Sequence, residues 1–534
     1  MKRKLFFNIL LLCSLGTLFS CKKLLEQEPK NSTYGDAFWS DPRAGANAVA
    51  GNYALLRDAL STGIYNTWNR YYMYGDAAAD IEYAMRYNDG QGNAEVHSGR
   101  FESNYTVLAL GDWSGYLRTV AMANIVYKKM SEVPDELLNY HQDPITYRNN
   151  VLGQALFIRA LTYFMMVRIW GDVPLVTEAY EDPITAPQLG RTPKLEVMAQ
   201  IEKDCEAALA LLGWSYSSPS DRAVTANKGS VYALLAHLYL WRATVTNVQN
   251  DAPIMADVDK AADAIAQIEA NGGYALTDTN RYYQTFIGRS TESIFEINKS
   301  EDTQEGSSDH IGRWFLNNTN VPYFTSTPYY YVKPSYLTSH FYEIKTVWQW
   351  VWENNAWVWK GVASKVLDTT DLRFRRNFQF TNTNYPTSIK YSNVIYRNPG
   401  QQRDGYFSNN MNIFRLSDML LLKAEIALYR NQVPTAIEII NGFRRRNGGS
   451  ALGFVPDNAT KATVMSEYII ERAKELFVEG HLYYDLVRTR KALDLVPYLN
   501  ADRFRQEGFY WPVSPQLFSN NRFLVQTQYW RGKI

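Results

Sequence analysis

The hydrophobic positions of this 534-residue chain fall into three regimes. From about residue 41 to 272, apolar residues recur every three or four positions, the period of helices that bury one face. Val49, Tyr53, Leu56 and Leu60 form such a face behind Asp41-Pro42, where Asp suits an N-cap and Pro the first helical position, so a helix is predicted from there. Thr192-Pro193 opens a second stripe of Met198, Ile201, Cys205, Leu209 and Leu212. Thr225 precedes an Ala- and Leu-rich segment reaching Trp241, and Asp257 begins a helix predicted to end at Asn271-Gly272-Gly273, which supplies the positive φ of a C-terminal cap. Small residues at 233, 236, 261 and 264 let neighbouring helices approach closely. The starts at 192, 225 and 257 are 33 and 32 residues apart. A tetratricopeptide repeat has that period but packs two helices into it, so the spacing alone does not assign one.

Between about residues 273 and 410 the helical stripes give way to aromatic, Asn- and Thr-rich sequence. Its clearest segment runs from Val347 to Trp359 and alternates on both sides of Asn354-Asn355. That pattern predicts a hairpin with a two-residue turn, Trp352 opposite Trp357 and Trp350 opposite Trp359. Long helical patterns return after residue 410. The fold class is therefore mainly α, a helical scaffold interrupted by a loop-rich, partly β insertion.

The N-terminus adds a targeting signal. Lys2, Arg3 and Lys4 precede the apolar run Leu5 to Leu18, long enough for a secretory signal and too short to remain as a membrane-spanning helix. Leu18-Phe19-Ser20-Cys21 then resembles a bacterial lipobox, in which the cysteine is acylated and becomes the new N-terminus. Residues 1–20 read as the lipoprotein signal peptide, Cys21 as the lipidation site, 21–40 as a tether, 41–272 as an N-terminal helical region and 273–534 as a C-terminal region, loop-rich to 410 and helical from 411. Several acyl chains would anchor the protein without a transmembrane helix. With Cys13 in the signal and Cys21 capped, Cys205 is the one thiol left, at an apolar-facing helical position where a buried, inert role is expected.

Charge and motifs narrow the function. With 55 Lys+Arg against 54 Asp+Glu there is no field to attract nucleic acid, and no partner of that kind is expected. No G-x-S-x-G, Walker or HExxH pattern occurs, and the six histidines are scattered, so no cofactor and no metal site are expected. Glu475, Glu479, His481 and Asp485 cluster in sequence, but with Glu475 and Glu479 four apart on one expected helix beside Arg472, and Arg488 nearby, they read as structural ion pairs. Arg444-Arg445-Arg446 reads as a cationic last turn of a helix. Aromatics are the better lead, because sugars stack C–H faces on Trp and Tyr while their hydroxyls bond to amides, carboxylates and Arg. Two segments hold that mixture: Tyr65 to Tyr72, with Trp68 and Tyr71, continuing to Asp76, Asp80 and Arg86; and Trp314 with Asn317, Asn318, Tyr323, Tyr329 and Tyr330. Trp113 reads as packing. The four Trp rings of the hairpin fit either self-packing or an exposed platform.

Four stretches resemble conserved segments of the SusD/RagB family: Ala155 to Phe164 running to Gly171-Asp172-Val173-Pro174-Leu175; Arg415-Leu416-Ser417-Asp418 through Lys423-Ala424-Glu425; Glu471 to His481 followed by Tyr484 to Arg488; and Trp511-Pro512-Val513-Ser514 to Gln528. Ser514 and Thr527-Gln528 depart from the usual closing segment. The resemblance implies tetratricopeptide-like helix pairs as the scaffold, with the insertion carrying the ligand face. It implies a non-catalytic outer-membrane lipoprotein that captures an oligosaccharide, and a SusC-like TonB-dependent β-barrel transporter as partner. It places the family's binding aromatics in loops comparable to the two aromatic segments, without a motif that aligns single residues; from their side-chain types Trp68, Tyr71, Arg86, Trp314, Tyr323 and Tyr329 form the expected set, with no catalytic residue. A glycan-degrading surface lipoprotein, or a peptide-binding or structural surface protein, remains open to the sequence.

Overall fold

The computed structural model describes residues 36–61, 69–87, 92–181, 186–306, 310–322, 327–398, 400, 402 and 405–534. The signal, Cys21 and most of the tether lie outside them. Four helices fill most of the first regime's apolar period: α1 (Ala44–Ser61), α2 (Ser114–Glu132), α3 (Pro144–Trp170) and α4 (Lys194–Leu211). Two more follow, α5 (Lys228–Val245) and α6 (Met255–Asn271). The stripes behave as the spacing predicts: Val49, Leu56 and Leu60 of α1 and Met198, Ile201 and Cys205 of α4 are buried. Burial pushes the Cys205 thiol well up, which leaves it protonated and inert. Trp113 is buried against Trp170.

The helix ends shift for local reasons. Structure begins before residue 41, with a short helix Asp36–Trp39 inside the expected tether. The first long helix starts three residues after Asp41, because the Asp41 carboxylate accepts from the Arg43 N–H (2.8 Å) and its carbonyl from the Ala44 N–H (2.9 Å), forming a turn ahead of the helix. Asn227, two residues beyond Thr225, caps α5 in a reciprocal capping box with Ser230. α3 is among the described residues the one helix long and apolar enough to cross a membrane, but its apolar stretch is buried inside the protein.

After the insertion come α7 (Leu416–Tyr429), α8 (Val433–Arg446), α9 (Lys461–Glu475) and α10 (Leu482–Arg488). Each of α1 to α4 packs against the next in order, α5 joins α4 to α6, and α6 passes the stack to α7, which packs with α8 and α9. The result is a succession of helix pairs, mainly α as expected, with the alanines at 233, 236, 261 and 264 buried where α5 meets α6.

Every sheet among the described residues is a two-stranded antiparallel ribbon. β2 (Ser293–Ile297) and β6 (Met411–Arg415) pair in the core, both buried throughout, and β6 runs directly into α7. β1 (Tyr83–Met85) pairs with β3 (Tyr330–Val332), Tyr83 opposite Val332 and Met85 opposite Tyr330. β4 (Tyr342–Glu353) and β5 (Ala356–Leu367) form the predicted hairpin, with Trp350 opposite Trp359 and Trp352 opposite Trp357. Asn354 and Asn355 turn it with φ of 49° and 62°, the left-handed pair of a type I′ turn.

Candidate functional site

The β1–β3 ribbon joins the two aromatic segments that the sequence separates by some 240 residues. Beyond the paired strands the ladder continues, the Arg86 N–H donating to the Tyr329 carbonyl (2.8 Å). Strand alternation then divides the side chains. Tyr83, Tyr330 and Val332 point inward and are buried, while Arg86, Tyr329 and Tyr331 share the outer face. There the Arg86 guanidinium lies 4.0 Å from the centre of the Tyr385 ring, and Tyr385 meets Tyr331 edge-on at 5.2 Å. Tyr329 touches Trp314 (5.1 Å, edge-on) and Tyr87 (5.9 Å). Tyr87 and Tyr385 are 45% and 42% exposed, so the cluster has rings open to solvent beside a charged donor. Asn318 is exposed close by in the chain, and Asn320 donates to Gln379 (3.0 Å).

Of the expected set, Arg86, Trp314 and Tyr329 come together. Tyr71 does not join them: it lies on the short helix Arg70–Gly75, is 3% exposed, and packs edge-on against Tyr72. Trp68 and Tyr323 fall outside the described residues. Tyr87, Tyr331 and Tyr385 complete the cluster and were not singled out. Tyr331 follows from Tyr329 by strand alternation once β3 is known, but nothing in the sequence around Tyr385 signals its place. Asp80 ties Lys333, the residue after β3, to His97. Burial raises its carboxyl, but hydrogen bonds from His97 (3.0 Å) and Lys333 (2.7 Å) outweigh that and hold it below the usual range.

A second concavity of about 540 Å³ is lined by Tyr283, Phe286, Arg375, Arg376, Lys390 and Asn393 among others. It is more cationic than the ribbon cluster.

A second set of carboxylates with shifted titration lies in the core. Glu475 ends α9, and Glu479 is not on that helix as expected: Val478 and Gly480, at φ 49° and 78°, turn the chain out of it. Nor do they pair with Arg472. Both grip Arg415, which reaches Glu479 (2.7 Å), Glu475 (2.9 Å) and Glu292 (2.6 Å), while Arg373 holds Glu475 from the other side (2.8 Å). Burial raises the Glu475 carboxyl, but the two guanidiniums dominate and bring it to about 2. Arg472 instead bridges Asp485 (2.6 Å) and Asp418 (2.8 Å), and Arg488 pairs with Glu425 (2.7 Å) and Asp485 (2.8 Å). Of the three arginines ending α8, Arg444 is buried against Glu467 and Glu471 rather than simply completing a helix dipole. Asp76 and Glu82 behave oppositely, since burial pushes both carboxyls well up.

One group among the described residues has metal-ligand geometry: His237, Asp418 and His481, all buried, with ligand atoms within 4.8 Å of one another. Asp418 is already satisfied there, accepting from His237 (2.7 Å) and paired with Arg472, and burial lowers both imidazoles, His481 to about 3. The group closes as a neutral His pair beside an ion pair.

Residues 277–530 match the family described as "SusD family", and residues 55–240 match one described as "Starch-binding associating with outer membrane". The chain belongs to the SusD family. A SusD-like protein of Formosa agariphila is 24% identical over 538 residues, 95% of each chain. A SusD homologue from Bacteroides thetaiotaomicron superposes with a TM-score of 0.74 at 23% identity, over 92% of this chain and all of that one. B. fragilis NanU gives 0.68 at 20% identity, over 94% and 99%. These likenesses establish the SusD fold. The family comprises nutrient-binding proteins associated with the outer membrane.

Proposed function

We propose that this SusD-family protein is a non-catalytic cell-surface receptor for an oligosaccharide, anchored to the outer membrane through Cys21 and passing its ligand to a TonB-dependent transporter. The observation that carries the ligand reading is the cluster on the outer face of the β1–β3 ribbon, where the exposed Tyr385 and the half-buried Trp314 and Tyr329 rings lie with the Arg86 cation. Rings give a sugar its apolar contact and the guanidinium gives its hydroxyls donors. Such contacts fit capture and release, because a stacked sugar keeps much of its hydration. The non-catalytic reading is supported by the burial of Asp76, Glu82, Glu475 and Glu479, carboxylates that a glycosidic bond does not reach. The division near residue 273 is supported by the two family matches, which end and begin on either side of it.

Glycan-array screening followed by calorimetry tests this, with reducing-end assays on each hit. Loss of about 0.5–1.5 kcal/mol per ring, roughly a two- to thirteenfold weakening, is expected for Trp314→Ala and for Tyr385→Ala. Loss through Arg376→Gln instead would move the site to the cationic cleft. Product formation would overturn the non-catalytic reading.

A further inference from the structure

The β4–β5 hairpin has no place in the site above. It is twelve residues per strand, roughly 40 Å long at about 3.4 Å per residue. Contacts to the body concentrate at its base, through Tyr342, Glu343 and Leu367, where Ser450 donates to Glu343 (2.8 Å) and the Tyr342 hydroxyl donates to Glu467 (2.6 Å). Its outer half carries Trp348, Trp350, Trp352, Trp357 and Trp359 on one face, in three successive rungs. The cross-strand pairs pack at 5.5 and 5.4 Å, yet all five rings remain 51–62% exposed. Taking about 250 Å² for a whole indole side chain, the face leaves roughly 700 Å² of aromatic surface in water. That exceeds the largest apolar patch of a typical monomer, about 300–600 Å².

Three occupants compete for it. A sugar chain needs hydroxyl partners beside its stacking rings, and from the Trp348 rung to the turn this face offers Trp and Gly361 alone. The paired rings also stand at 58° and 66° to each other, which gives ridges where a sugar wants a plane. Membrane insertion tip-first would bury the Asn354-Asn355 turn and the Lys360–Glu353 ion pair beside it, both polar. A protein surface with matching ridges meets neither objection.

We propose that the Trp face is a self-association surface through which two copies of this chain pair about a two-fold axis. The rungs make it self-complementary. Trp350/Trp359 lies in the middle, a two-ring rung (Trp352/Trp357) on one side, and on the other a one-ring rung, where Trp348 lies over Gly361. A two-fold axis through the middle rung sets the two-ring rung of each copy against the one-ring rung of its mate, so bulk meets relief at both ends. Two such faces bury up to about 1,400 Å², within the range of specific interfaces, about 1,200–2,000 Å².

The test uses the full chain on the surface of intact cells, with a photo-reactive benzophenone amino acid replacing Trp352. A cross-linked species of twice the chain's mass is expected, with peptide mapping joining residue 352 of one copy to the 348–361 segment of the other. Trp350→Ser combined with Trp359→Ser should cut that product at least tenfold while leaving the thermal midpoint of the purified protein unchanged, because the outer hairpin supports none of the core. Cross-links to another protein, to lipid or to glycan, no cross-link, or a dimer indifferent to the double substitution would each overturn the proposal.

Discussion

Replacing Arg415 with Met keeps an unbranched apolar stem and removes a charge from the middle of the protein. Its guanidinium is 1% exposed and faces three carboxylates, but they do not lose equally. Glu475 keeps Arg373 at 2.8 Å and Glu479 keeps Lys390 at 2.6 Å, whereas Glu292 is left with one backbone donor, the Thr277 N–H at 3.0 Å. The variant therefore carries one uncompensated buried charge, which costs about 3–5 kcal/mol. With a urea slope of about 3 kcal/mol/M for a chain this size, the unfolding midpoint should fall by about 1–1.7 M, read by tryptophan fluorescence. Adding Glu292→Gln removes the orphaned charge, so the double variant should recover part of the loss, with a coupling of about 1–3 kcal/mol in the mutant cycle. An Arg415→Met midpoint within about 0.1 M of the parent, or strict additivity in the cycle, would refute the argument that this network is held by charge pairing.

Glu82→Gln should be neutral or stabilising at pH 8, because burial raises the Glu82 carboxyl and the parent loses stability as pH rises through that raised value; the advantage should fade on acidification, as pH-dependent urea melts will show. Glu475→Gln should destabilise at pH 7 by a few kcal/mol, and its deficit should shrink as pH falls from the ordinary carboxylate range towards about 2, where the parent loses the same ion pairs. Gly480→Ala should be severe in a thermal melt, since at φ 78° the added Cβ falls within the Tyr71 ring, while Gly273→Ala, at φ 63° with open space around it, should cost only about 1–2 kcal/mol.

The sequence announces whatever repeats along itself. Helical stripes located α1, α4, α5 and α6 to within three residues, because a periodic apolar face and a buried face are the same fact seen twice. The hairpin's register was equally plain, since alternation on both sides of Asn354-Asn355 leaves one way to pair the strands. Its inner half was not legible: Lys345, Thr346, Ser364 and Lys365 carry no apolar alternation, and they are held by the pairing already begun nearer the turn. The Leu476–Gly480 turn was hidden by Val478, a β-branched residue at positive φ that local preference would not place there. For the ribbon cluster, the two segments could be named from composition, but Tyr385 meets Arg86 only through the tertiary fold, and Tyr71 turns inward because the turn at Gly480 packs on its ring.

That packing ties the two ends of the chain together. The Gly480 N–H donates to the Asp76 carboxylate (2.8 Å) across 404 residues, the Gly480 backbone leaves no room for a side chain at Gly75, and the Tyr71 ring leaves none at Gly480. During synthesis the segment around Asp76 emerges early and then waits, its partner still unmade until all but about the last tenth of the polypeptide has appeared. The β1 strand waits in the same way for β3. The region around Asp76 and β1 therefore reaches its native packing late, after the helix pairs whose partners are neighbours in sequence.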